Sequence, residues 1–253
     1  MKIIQKKLKK GCSVVSQLLV TISLACSSPQ LDGTVLNTMH GKVATSQFQA
    51  LSPADSTNWY TLGVLYANRI FTMESKNKRR DADSALHFLR KARTLCPENP
   101  VIAAYIAVTI GLRVKEDNIF KQKFGDSRAR ANETFRVMDS LQRAYPKNLA
   151  VQFLSACLFR EASKYIKNQA TFLLTSYDTF HSLHKMALSG QHQEFFSPDV
   201  RGHILLSLAI LIGKLENHAE ADATAQEYIA ALFREWPNTP AAKYAQEKKM
   251  QEK

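Results

Sequence analysis

The chain has 253 residues, of which 45% are hydrophobic and 22% charged, with only 9 Gly and 8 Pro. That balance is too apolar for a disordered chain and too poor in Gly and Pro for a loop-rich β-sandwich, and it points to one all-α domain with a real core. Lys and Arg number 34 against 22 Asp and Glu, a net charge of +12, yet five of the lysines (Lys2, Lys6, Lys7, Lys9, Lys10) precede the first acid, Asp32, and without them the surplus is seven.

Residues Met1 to Lys10 form a basic segment, and Ser13 to Leu24 an apolar one of about twelve residues. A helix of that length rises about 18 Å, well short of the roughly 30 Å hydrocarbon core, so 1–25 reads as a secretory signal and not a transmembrane span. It ends in Ala25-Cys26-Ser27-Ser28. A small residue, a cysteine and serines in this place resemble a bacterial lipoprotein signal, although Ser23 stands where the family usually has leucine, with Leu24 after it. The resemblance implies cleavage before Cys26, acylation of its thiol and an exported chain facing the periplasm, with Ser27 leaning toward the outer membrane. Cys12 would leave with the signal. Cys96 and Cys157 then remain, far apart in the chain, and are expected as two buried thiols rather than a pair.

Residues 26–51 mix Ser, Thr, Gln and Gly without a sustained period and read as a flexible tether. The helical domain spans 52–253. Ser52-Pro53-Ala54-Asp55 carries a capping serine, a proline suited to a first helical position and an early acid, which together predict a helix start. Trp59, Leu62, Gly63 and Tyr66 follow in the spacing W-x2-L-G-x2-Y, and Ala85, Leu89, Ala92 and Pro97 in the spacing A-x3-L-x2-A-x4-P. Gly63 and the alanines would let two helices approach closely, large residues would fill the gaps, and Pro97 would stop the second helix.

These residues resemble the two helices of a tetratricopeptide repeat. Between them lie about ten more residues than the family has, around Glu74 to Asp83; being charged and without apolar period, they form either a protruding turn or a helix extension. Corresponding first-helix places fall next on Ala103, Ile106, Ala107 and Ile110, then on Gln152, Ser155, Ala156 and Phe159, where small residues recur but Trp and Tyr do not. A second insert runs from Lys115 to Ser127. Proline stops at Cys96-Pro97, Tyr145-Pro146 and Trp236-Pro237, with Ser189-Gly190 and Ser197-Pro198-Asp199 between the last two, predict helices near 57–73, 82–96, 99–115, 127–145, 148–166, 170–189, 198–215, 218–236 and 239–252. The resemblance implies a right-handed solenoid of about four antiparallel helix pairs closed by a polar capping helix. Its concave side would bind a peptide or partner helix, and Asn58, Thr61, Leu65 and Asn68 would be exposed there in the first repeat.

Signals of chemistry are sparse. His181 and His184 lie three apart on one helix face with His192 and Glu194 beyond Gly190, donors of a kind zinc accepts, but without an HExxH order or cysteine support they read as packing or solvent histidines. No G-x-S-x-G elbow, phosphate loop or paired-cysteine signature occurs, and Asp178, Asp199 and Glu216 are scattered. No catalytic residue, metal or cofactor is expected. The basic residues around the first repeat, Lys76 to Arg80 and Arg90 to Arg93, read first as solvated faces and second as a functional electropositive patch, which in a cytosolic protein could hold phosphate backbones; an exported one meets anionic lipid headgroups, cell-wall polymers or acidic partners, so nucleic acid is not expected. Ile204 to Ile212, nine residues spanning about 13 Å, is too short to cross a bilayer and must be covered on every face.

The expected function is an envelope scaffold that holds a protein or peptide partner. The alternative, from another class, is an accessory subunit of a periplasmic solute uptake system, as some tetratricopeptide-like lipoproteins are, in which the chain would form homo-oligomers. Burial of 204–212 within one subunit favours the scaffold; its exposure at an interface or apolar channel favours the accessory subunit.

Overall fold

A computed structural model describes residues 51–71, 77–115, 126–162, 166–215 and 219–251. The signal segment, Cys26 and nearly all of the tether lie outside the described residues, as do parts of both inserts. Regular structure begins with a single 3-10 turn, Ser56–Asn58, followed by α1 (Trp59–Phe71), α2 (Lys78–Leu95), α3 (Pro100–Lys115), α4 (Asp126–Ala144), α5 (Leu149–Arg160), α6 (Gln169–Leu188), α7 (Pro198–Leu215), α8 (Ala219–Glu235) and α9 (Pro240–Gln251). Among the described residues the protein is all helical, with no strand.

The boundaries follow from short capping sequences. After Pro97 and Pro146, which cannot continue a helix, an asparagine two residues on caps the next one: Val101 N–H donates to Asn99 Oδ1 at 2.9 Å, and Val151 N–H to Asn148 Oδ1 at 3.1 Å. Thr239 caps α9 in the same place after Pro237, accepting from Ala242 N–H at 3.4 Å. Gly190, at φ +75°, supplies the left-handed turn that ends α6.

Three boundaries differ from the sequence expectation. The first cap is Asp55, not Ser52: its carboxylate accepts from Thr57 N–H at 2.9 Å and Thr57 Oγ1 at 2.8 Å, and these bonds hold its pKa below the usual value. Helix α2 starts at Lys78, capped by Asn77, so the described half of the first insert is a helix extension. Helix α5 stops at Arg160, six residues short of the expected 166, where Glu161 N–H turns back to the carbonyls of Leu158 and Phe159.

Neighbours in the chain pack against one another, most closely within α1/α2 and α7/α8, then α3/α4, α5/α6 and α6/α7 alike, and the alternate helices α3/α5 and α7/α9 also lie in contact. One continuous core runs from Val64 to Leu211, with Tyr105, Phe153, Phe159 and Phe180 fully buried in it, and a smaller cluster seals α9 onto α7 and α8 through Leu205, Leu232, Ala242 and Ala245. The outer helices α2 and α4 are two-sided, polar outside and apolar inside; α7 buries side chains on every face, from Val200 through Ile212 with only Arg201 and Ile210 half-buried.

Candidate functional site

The residues of the W-x2-L-G-x2-Y and A-x3-L-x2-A-x4-P spacings lie on α1, on α2 and just after α2. A Cβ placed on Gly63 would lie 2.7 Å from Leu89 Cγ and 3.0 Å from the Leu89 backbone nitrogen, so α1 and α2 touch at a point only glycine permits. Leu62, Ala85, Leu89 and Ala92 are buried around it, Tyr66 stacks on Phe88 with ring centroids 6.0 Å apart, and exposed Pro97 follows the end of α2. Trp59 donates from Nε1 to Pro53 O at 3.1 Å and carries Lys91 Nζ 4.9 Å above its ring. The same device recurs where it was not foreseen: a Cβ on Gly111 would meet Leu158 Cδ1 at 2.5 Å, and one on Gly202 would meet Thr239 Oγ1 at 2.8 Å.

The candidate groove does not survive as expected. Leu65 and Asn68 are buried, at 3% and 0% exposure, and line no open surface, while Asn58 and Thr61 are half-buried. The cause is that α1 faces neighbours on more than one side. Helices α3, α5 and α7 are likewise largely enclosed, and the solvent-facing surface is carried mainly by α2, α4, α6 and α8. On α6, Leu174 is 54% and Leu188 67% exposed, the two most exposed large apolar side chains described.

Titratable groups gather at two further places. Between α5 and α7, Arg160 Nη1 donates to Ser207 Oγ at 2.6 Å and to His203 Nε2 at 3.2 Å, while its Nε pairs with Glu161 at 3.0 Å. A guanidinium only donates, so Nε2 of His203 is the accepting nitrogen. Cys157 Sγ lies 3.5 Å from the same nitrogen, but full burial pushes its pKa up to about 12, so the thiol keeps its proton and is no nucleophile. This polar seam ties helices together.

The histidines of α6 pack against rings. His181 stacks on Tyr177, centroids 5.8 Å apart, and His184 meets the edge of Tyr228 at 6.1 Å. Burial, then His181 and Arg201, lower the His184 pKa against the pull of Glu235. His192 instead sits in the turn after α6, its Nδ1 3.6 Å from Glu194. Among the described residues no three His, Cys, Asp or Glu side chains converge as a metal site. Cys96 and Cys157 do not join each other: Cys157 is free, whereas Cys96 is disulfide-bonded. The expectation of two thiols therefore holds only for Cys157.

Comparison with protein-family models, with curated proteins and with solved structures yields no match to this chain.

Proposed function

We propose that the protein is a tetratricopeptide-like solenoid, exported and lipid-anchored through Cys26, that acts as a non-enzymatic scaffold for a protein partner in the cell envelope. The observation that carries the reading is the glycine contact of Gly63 with Leu89 inside the W-x2-L-G-x2-Y and A-x3-L-x2-A pattern, followed by helices packed pairwise in chain order. Burial of Ile204, Leu205, Leu206, Leu208, Leu211 and Ile212 within a single chain supports the scaffold over an oligomeric uptake accessory, whose interface would need them. Because the first helices are enclosed, the partner surface falls on the outer helices, and Leu174 and Leu188 of α6 are its most exposed apolar points.

The experiment is crosslinking in the native envelope followed by identification of the bound protein, comparing wild type with Leu174→Glu/Leu188→Glu. One protein captured by wild type, which then binds the purified chain and is lost from the folded variant, supports the reading. Equal capture by both would remove α6 from it, and a purified chain that assembles with itself through these leucines would favour the accessory subunit.

A further inference from the structure

We propose that the exposed face of α2 is a membrane-contacting surface that lies on anionic phospholipid headgroups. Helix α2 carries six cations and two acids in Lys78–Leu95, and both acids are taken by arginines of the neighbouring helices. Arg69 of α1 sits 3.5 Å from buried Asp81, and Arg113 of α3 donates to Asp83 at 2.7 Å. Arg79, Arg80, Arg90 and Arg93 are then exposed with no ion pair among the described residues. Helix α4 shows the contrast: its Arg136 is held by Glu133 at 2.6 Å and its Arg143 by Asp139 at 2.8 Å, both on the same helix.

Arg79 and Arg80 also stand in the first turn of α2, where the helix dipole is already positive and a further cation is unfavourable. An external anion removes that penalty. Arg79 and Arg80 line, with His87, Phe88 and the arginine-paired Asp83, a solvent-open depression of about 450 Å³, room for a headgroup. Arginine is suited to this task because its planar fork binds phosphate oxygens in pairs.

The extent of the surface chooses among anions. From Arg79 to Arg93 the helix rises about 21 Å, too long for one small phosphate and suited to an array of headgroups. Placement agrees. The chain enters the domain beside the far end of α2, where Lys91 covers Trp59 and Trp59 is bonded to Pro53, so a lipid on Cys26 would hold this helix near the bilayer. The orientation rests on the anchor proposed above, whereas the surface itself does not require acylation.

The test uses the full chain with Cys26→Ala, so that no acyl chain contributes, floated with vesicles of phosphatidylcholine alone or mixed equally with phosphatidylglycerol. Binding to the anionic vesicles only is expected. In Arg79→Gln/Arg80→Gln/Arg90→Gln/Arg93→Gln, with an unchanged melting temperature, the partition coefficient should fall by more than about tenfold, and raising salt to about 0.5 M should weaken wild type similarly. Binding that is equal in the variant, or equal on neutral vesicles, overturns the proposal, since the basic segment before Asp32 or apolar insertion would then carry it. Displacement by millimolar inorganic phosphate overturns it in favour of a small-anion site, and preferential binding of duplex DNA in favour of nucleic acid. Loss of acylation in cells with intact α2-dependent flotation would count against the anchor and leave this surface standing.

Discussion

The first helix pair and the α5–α7 centre solve one packing problem in two ways. Between α1 and α2 the contact is set by a missing side chain: Gly63 lets Leu89 in, the inner faces are apolar, and the outer face of α2 stays charged. At the centre α7 is apolar nearly all round, so it is covered on all sides, and its few polar groups have to be satisfied internally by Arg160, Ser207 and His203. The α1/α2 pair is specified by shape at one point. A helix in the middle is specified by filling every direction at once.

The comparison can be broken most forcefully at the centre. Phe153 is fully buried against Phe180, Phe195 and His203, and Phe153→Ala should lower stability by about 3–5 kcal/mol in a denaturant titration. In the α1/α2 pair, Gly63→Ala forces Leu89 and its backbone aside and should cost about 1–3 kcal/mol. An unchanged midpoint there would mean that the two helices are not held at that distance.

A pH-dependent effect follows from Cys157. Its folded pKa of about 12 lies above the ordinary value near 9, so the unfolded thiol ionises first as pH rises. Stability should therefore fall progressively between about pH 9 and pH 12 by an increment absent from Cys157→Ser, and alkylation at neutral pH should need unfolding. The smallest change is expected at Gly213, whose Cβ position meets nothing within 4 Å: Gly213→Ala should raise stability by about 0.5–1 kcal/mol through the unfolded chain. A loss there would place that surface against something the single chain does not supply.

Much of the fold was legible because its signals are local. Proline stops, two-sided charge patterns and the W-x2-L-G-x2-Y spacing each depend on residues within a turn or two, and eight of the nine described helices begin within two residues of the expected place, the exception being α2, extended by its Asn77 cap. What escaped was pairing across the stack. Gly111 and Gly202 look like ordinary helix glycines until Leu158 and Thr239 stand opposite them, and nothing near Leu65 or Asn68 announces that both faces of α1 are covered. The seam of Cys157, Arg160, His203 and Ser207 joins residues more than forty positions apart, and no spacing rule reaches that far. Asn99 and Asn148 could have been found: an asparagine two residues after a helix-ending proline is a capping signal in its own right.

The proposed attachment at Cys26 would place the chain in the envelope, and metabolic labelling with a fatty acid tests it most directly. The account predicts a labelled wild type that stays in the membrane fraction at about 0.5 M salt and an unlabelled Cys26→Ala variant that such salt releases. Label that persists in the variant, or a wild type that carries none, would contradict it.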